Sequence, residues 1–164
     1  GEFDLVVGRL ARPKDMQGLS FTHLYSDELV FVVRAGHPLS SDEPFDLAML
    51  EYMTLIMSTA DGVMRPVIDR FLIANGVGAL PHAIEARSPD FCRQYLRTSD
   101  AVWLISRGVV EHDIADGVLR RLNVDSSDTR GPVGLTVRAD THPSPTLRMM
   151  MDTVARVAHE YALT

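Results

Sequence analysis

The spacing of hydrophobic residues changes along the chain, and each spacing predicts a different element. Nearly continuous apolar runs at 3–7 and 29–33 are typical of buried parallel strands. Between them, residues 19–25 alternate apolar and polar side chains, which favours a half-exposed strand. The first 33 residues are therefore predicted to form three strands.

From residue 36 onwards the pattern becomes a series of strands and helices. Further strands are predicted at 53–57, 82–86, 101–105, 119–124 and 133–138, and helices at 45–50, 64–72, 88–96 and 107–116. Ser88 followed by Pro89 is typical of a helix start, with the serine as the N-cap. This alternation predicts an α/β fold with a mostly parallel sheet covered on both faces.

A long amphipathic helix ends the pattern, entered through Pro143 and Pro145. Its predicted apolar face carries Leu147, Met150, Met151, Val154, Ala158 and Tyr161. We interpret its methionines as core packing rather than as a metal or cofactor site, because methionine fills irregular gaps in cores.

The elements divide unequally between two lobes. Residues 35–138 can build one complete lobe, lobe II. Residues 1–34 and 139–164 supply only a few strands and one helix, so they are assigned to part of lobe I, with its remainder expected upstream of residue 1. The chain is then expected to cross between lobes near Val33–Arg34 and near Arg138–Ala139.

Composition excludes several classes of function. The net charge of −6 makes this segment a poor candidate for direct contact with nucleic acid. Cys92 is the only cysteine, so an internal disulfide is impossible, and the six histidines form no H-x-x-x-H pair, so no metal site is predicted. No cofactor-binding motif occurs, and no apolar run reaches the about 20 residues of a membrane span.

Three polar residues lie where α/β sheets commonly bind ligands. Ser58 and Thr59 follow a predicted strand and precede a helix, where hydroxyls and free backbone N–H groups favour a carboxylate. A plain helix cap is the alternative for these hydroxyls. Arg65 opposes the helix dipole in the first turn, which suggests a grip on a ligand carboxylate, with a surface salt bridge as the alternative.

Four segments taken in order resemble one protein family. They read GEFDLVVGRL at 1–10, VFVVRAGHPL at 30–39, SDAVWLISRGVV at 99–110 and GPVGLTVR at 131–138. Together they resemble the effector domain of LysR-type transcription regulators, in the branch that contains the protocatechuate (pca) operon regulators. The resemblance covers essentially the whole chain.

The resemblance implies a two-lobe fold like that of type II periplasmic binding proteins, with an effector held between the lobes. It also implies an N-terminal winged helix-turn-helix domain, absent from this chain, through which alone DNA would be bound. By the same resemblance, Gly8 and Arg9 at the end of the first strand, and the loop carrying Ser99 and Asp100, are expected to contact the effector. A plain turn is the alternative for Gly8 and Arg9, and a capping or solvent-facing role is the alternative for Asp100. Trp103 is a further candidate for the pocket wall, and a position in the core is the favoured alternative for it.

The predicted function is therefore sensing of a small organic acid, aromatic or derived from ring cleavage, rather than catalysis. The full-length protein is expected to be a cytoplasmic homodimer or homotetramer with no membrane contact. A periplasmic-type solute-binding protein is the alternative, and it would need an export signal upstream. A hydroxymethylbilane-type transferase would need a reactive cysteine on a mobile loop, whereas Cys92 lies in a predicted helix.

Overall fold

The computed structural model describes residues 3–140 and 142–162, with the backbone alone for 161 and 162. The described elements are, in chain order, β1 (Val6–Arg9), β2 (Leu19–Asp27), β3 (Leu29–Arg34), β4 (Leu55–Met57), α1 (Arg65–Ala74), β5 (Ala83–Glu85), α2 (Pro89–Arg97), β6 (Val102–Ser106), α3 (Arg107–Ala115), β7 (Leu119–Arg121), β8 (Gly131–Arg138) and α4 (Pro145–Ala162). Short 3₁₀ helices lie at Pro13–Met16, Leu47–Tyr52 and Ser127–Thr129. The chain divides into two compact units, Gly1–Asp27 with Gly131–Thr164 and Glu28–Arg130.

The first unit contains a three-stranded antiparallel sheet in the order β1-β8-β2. Gly134 in the central strand pairs with Gly8 on one side and His23 on the other. A Cβ at Gly134 would lie 2.1 Å from the carbonyl oxygen of Thr22, so only glycine fits this central position. α4 packs against β2, and the buried Ala158 lies on its inner face.

The second unit contains a five-stranded sheet in the order β5-β4-β6-β3-β7. β4 pairs in parallel with β5 and β6, whereas β3 runs antiparallel to β6 and β7. β3 lies between β6 and β7, and residues 29–33 are buried, which explains its unbroken apolar sequence.

Side chains alternate between the two faces of this sheet and build two cores. On one face, Phe31 and Leu104 pack with Ile68 and Phe71 of α1. On the other face, the core residues are Val30, Val32, Ile56 and Trp103 of the sheet with Cys92, Leu96 and Val110 of α2 and α3. The helices therefore cover both faces, as the alternation of strands and helices predicts.

Helix boundaries follow the sequence signals closely. The helices predicted at 64–72, 88–96 and 107–116 are α1, α2 and α3. The Ser88 side chain accepts a hydrogen bond from the backbone N–H of Phe91, which confirms the predicted cap. The segment predicted as a helix at 45–50 is instead the 3₁₀ helix Leu47–Tyr52.

Several further expectations differ from the structure. Both apolar runs predicted as parallel strands are antiparallel, so the sheets are not mostly parallel. The first of these strands begins at Val6, which is 50% exposed rather than buried. The expected crossings lie one strand too late, because β3 pairs within the second unit and β8 within the first, so the chain changes unit after Asp27 and after Arg130. Met150 is 56% exposed and does not belong to the buried face of α4, and the Tyr161 side chain lies outside the described residues.

Candidate functional site

The carboxyl ends of β4, β5 and β6 meet at one edge of the second unit's sheet, here called the carboxyl edge. Ser58 and Thr59 follow β4 directly, and Glu85 ends β5. Open α/β sheets bind ligands at this kind of edge, because loop hydroxyls and helix N-termini converge there.

The two stretches of chain at which the units join, around residues 27–29 and 126–131, also lie at the carboxyl edge of the second unit. Leu29, the first residue of the antiparallel β3, pairs with Ser106 at the end of β6. The Leu29 N–H donates to Thr129 Oγ1 at 2.9 Å, and Ser126 Oγ donates to the Leu29 carbonyl oxygen at 2.5 Å. These buried bonds fasten the two connecting segments to each other, while Glu28 forms ion pairs with two arginines, one of them Arg130 in the second connecting segment.

The hydroxyl of Ser58 is buried without a partner. The Ser58 Oγ atom is buried, and it forms no hydrogen bond with any of the residues that the structure describes. Gly62 lies against it, since a Cβ built on Gly62 would be 3.4 Å from Ser58 Oγ. The cap alternative therefore does not hold for Ser58, and a buried hydroxyl without a partner costs about 1–3 kcal/mol.

Arg65 lies in the first turn of α1 and is held by two carboxylates. Its Nε donates to Asp69 Oδ1 at 2.7 Å, one helical turn along, and its Nη1 pairs with Glu85 at the end of β5. Nη1 also lies 3.4 Å from the carbonyl oxygen of Ser58. The hydrogen bonds that Arg65 donates to Glu85 and to Asp69 raise its pKa, the bond to Glu85 most, so it is a firmly charged group beside the loop after β4.

A second ion pair joins the same loop to the segment after β5. Arg87 Nη2 pairs with Asp61, and Thr59 Oγ1 donates to the other oxygen of that carboxylate at 2.8 Å. The hydrogen bonds from Thr59 and Arg87 lower the pKa of Asp61, and the hydrogen bond from Arg65 lowers the pKa of Glu85. The Asp61–Arg87 ion pair and the hydrogen bond from the Ala60 N–H to Glu85 therefore hold the loop at 58–64 against β5 and the residues after it, while Arg65 holds Glu85 from the start of α1.

Gly8 and Arg9 lie at the end of β1 in the first unit. A Cβ at Gly8 would meet nothing within 4 Å, so the backbone there is open to close approach. Arg9 Nη1 donates to the carbonyl oxygen of Asp27 at 2.6 Å. Burial lowers the pKa of Arg9, and the Asp27 carboxylate opposes that shift. Their contact with an effector stays a prediction.

Ser99 and Asp100 lie at the opposite edge of the second unit's sheet, because their loop precedes β6 whereas Ser58 follows the parallel β4. β4 and β6 are in register at Leu55 and Val102, so Asp100 and Ser58 lie five positions apart along the strands. At about 3.3 Å per residue this is about 16 Å. The structure therefore does not bring the two predicted groups of residues together.

Polar groups at this second edge already have partners. Ser99 Oγ donates to the carbonyl oxygen of Tyr95 at 2.8 Å, and Asp100 Oδ1 accepts from Arg34 Nη2 at 2.7 Å. The buried His37 accepts from the Leu39 N–H at Nδ1, so Nε2 carries the proton and donates to the Asp100 carbonyl oxygen at 3.3 Å. The His-Pro-Leu turn thus fastens the end of β3 to this loop.

Two sequence candidates lie in the core of the second unit. Trp103 is 2% exposed and packs with residues of β3, β4 and α2, so it takes the core position rather than forming a pocket wall. Cys92 is buried on the inner face of α2, and burial raises the pKa of its thiol. A buried thiol with a raised pKa is a poor nucleophile.

Sequence reasoning missed the acidic and basic residues that surround Ser58. Glu85, Asp61 and Arg87 become neighbours only because β5 pairs beside β4, and that pairing is not local in sequence. The available signal was their position, since Arg87 follows a predicted strand just as Ser58 does, and Glu85 lies near the end of that strand. Within the described part of the chain, histidine, cysteine and acidic side chains form no group that could hold a metal ion, and no helix is long and apolar enough to cross a membrane.

Comparison with solved structures identifies the fold. The Synechocystis PCC6803 CcmR regulatory domain, solved in complex with 2-PG, superposes with a TM-score of 0.77 over 96% of this chain and 74% of that one, at 18% identity. The effector binding domain of QuiR, solved with shikimate, gives a TM-score of 0.74 over 97% of this chain and 73% of that one, also at 18% identity. These matches confirm the predicted α/β fold class with two lobes of the type II periplasmic-binding-protein kind.

Comparison with curated sequences gives a nearer relative. The HTH-type transcriptional regulator PcaQ of Agrobacterium fabrum is 54% identical over 160 residues, which is 98% of this chain and 51% of the relative. The chain thus spans about half the length of this relative. The model of the LysR substrate binding domain matches residues 1–158. The chain therefore belongs to the LysR substrate binding domain family.

Proposed function

We propose that this chain is the effector-sensing part of a LysR-type transcription regulator and that it binds a small organic acid at the carboxyl edge. The observation that carries the proposal is the buried hydroxyl of Ser58, which has no partner among the described residues and lies beside the Arg65 guanidinium. An acid carboxylate at this edge would accept hydrogen bonds from a hydroxyl, from Arg65 and from backbone N–H groups at the start of α1.

The proposed ligand class comes from the relatives. Shikimate, bound in the QuiR structure, is a carboxylic acid. The identity to PcaQ, together with the pca-type segments of the sequence, supports an aromatic acid or a ring-cleavage product. These comparisons favour a regulator over the solute-binding alternative, since the relative is named a transcriptional regulator.

In the full-length protein the acid would act by shifting a conformational equilibrium. Such a shift requires that the acid bind one state more tightly than another, and its size is limited by that difference in affinity. The helix-turn-helix domain of the full-length protein, assembled as a homodimer or homotetramer in the cytoplasm, would convert the shift into altered DNA binding. The acidic balance of this chain leaves DNA contact to that domain.

Isothermal titration calorimetry of the full-length protein with protocatechuate and carboxymuconate tests the proposal. Saturable binding is expected, and Arg65→Gln is expected to weaken it about tenfold or more, because a charge-assisted hydrogen bond contributes about 1.5–3 kcal/mol. Arg34→Gln is the matched control, because it removes the same charge from a residue paired with Asp100 at the opposite edge. Absence of saturable heat with both acids would contradict the aromatic-acid proposal, and equal losses in both variants would contradict the assignment to the carboxyl edge.

A further inference from the structure

The carboxylate of Glu85 occupies the donors that a ligand carboxylate would need at the carboxyl edge. One oxygen accepts from the Ala60 N–H at 3.2 Å, and the other accepts from Arg65 Nη1. A backbone N–H and a guanidinium are the pair of donors typical of a bound carboxylate. Glu85 is therefore bound in the manner of a ligand that belongs to the chain itself.

The loop at 58–64 adopts a conformation that hides another donor. Ser58 Oγ is shut in against Gly62 and has no partner in the described residues. A hydroxyl in this position is less stable than one bonded to an acceptor, so a movement of the loop that gives Ser58 an acceptor would recover free energy. The Glu85 contact to Ala60 fixes the loop in the present conformation.

We infer that Glu85 is an internal competitor of the effector, and that an effector carboxylate displaces it from Ala60 and Arg65 and releases the loop to expose Ser58. The inference rests on the proposed function, since it concerns the same edge. The exchange selects for acids, because only a ligand with its own carboxylate can accept the hydrogen bonds from Ala60 and Arg65 that Glu85 accepts in the free protein. A neutral analogue leaves Arg65 with Glu85 and gains nothing from the exchange.

Neighbouring charges allow a matched test. Asp69 pairs with Arg65 from within α1, and Asp61, on the loop at 58–64, pairs with Arg87 after β5. Glu85→Gln keeps the shape and an acceptor oxygen but removes the charge that holds Arg65. Asp61→Asn removes an equal charge from the same loop, keeps an acceptor for Thr59 and leaves the Arg65 contact intact. It also removes the ion pair with Arg87, but both of those side chains are exposed, so that pair contributes little to holding the loop.

The experiment titrates full-length wild type, Glu85→Gln and Asp61→Asn with protocatechuate, with carboxymuconate and with neutral 3,4-dihydroxybenzamide. Glu85→Gln is expected to bind the acids about fivefold more tightly, the size expected for loss of one partly exposed ion-pair competitor. Its affinity for the amide, and the affinity of Asp61→Asn for the acids, are expected to stay within about twofold of wild type.

Each remaining result has a distinct meaning. Equal tightening in Glu85→Gln and Asp61→Asn would show a general effect of negative charge and would overturn the inference while leaving the proposed function intact. Acid binding by the wild type with no tightening in Glu85→Gln would do the same. Failure of the wild type to bind any of the acids would overturn the proposed function and the inference with it.

Discussion

Replacing Ser58 by alanine should stabilise the ligand-free protein. The buried hydroxyl of Ser58 has no partner in the described residues, and such a group costs about 1–3 kcal/mol. Removing one oxygen leaves a void of about 10 Å³, which costs about 0.2 kcal/mol at 24 cal/mol per Å³. The free energy of unfolding should therefore rise by about 1 kcal/mol, and the Tm by about 3 °C for a chain of this size.

Ser126→Ala is the matched control. Ser126 is 1% exposed and its hydroxyl donates to the Leu29 carbonyl oxygen at 2.5 Å, so its removal should lower the free energy of unfolding by about 1–2 kcal/mol. Both serines lie in the second unit, so urea unfolding followed by circular dichroism compares them within one transition. A loss of stability in Ser58→Ala similar to that in Ser126→Ala would refute the reasoning, because it would show that Ser58 is bonded in the free protein.

Other predictions follow from the same geometry. The carboxyl carbon of Glu85, followed by NMR, should titrate below the ordinary pKa of glutamate, and Arg65→Gln should return the pKa toward the ordinary value. The stabilisation that ionised Glu85 gives is therefore present at neutral pH and is lost as the pH falls through the lowered pKa. Gly134→Ala should destabilise the first unit by about 3 kcal/mol or more in thermal unfolding, because its Cβ would lie 2.1 Å from a carbonyl oxygen of the neighbouring strand. Gly8→Ala should change stability by less than about 0.5 kcal/mol from contacts alone, because a Cβ there meets nothing within 4 Å. Comparable losses in the two glycine variants would contradict the packing argument. Asp100→Asn should change calorimetric affinity for protocatechuate by less than about twofold, and a tenfold loss would place the ligand at the opposite edge.

Local sequence patterns predicted most of the helices and strands, but they could not predict which strands pair with each other. The spacing of Ile68, Phe71 and Leu72 and the cap at Ser88 are properties of single helices, so they could be found within short windows. The run at 29–33 fits a buried strand in either unit, because a continuous apolar sequence does not specify its neighbours. Only the pairing of β3 with β6 and β7 assigns it to the second unit.

The candidate site shows the same limit. Ser58 and Arg65 were found because they follow a strand and begin a helix, whereas Glu85 becomes their neighbour through the pairing of β5 with β4. The separation of Ser99 from Ser58 was available from the sequence order, since one residue precedes its strand and the other follows its strand. In a parallel sheet those two positions lie at opposite edges.

A crystal structure of the full-length protein with a bound acid tests the central claim most directly. The proposed function predicts the carboxylate of the acid at the carboxyl edge, within about 3 Å of the Arg65 guanidinium and of a Ser58 or Thr59 hydroxyl. The side chain of Glu85 should then have left Arg65. A carboxylate bound beside His37 and Asp100, with Ser58 Oγ still buried, would contradict the proposed site.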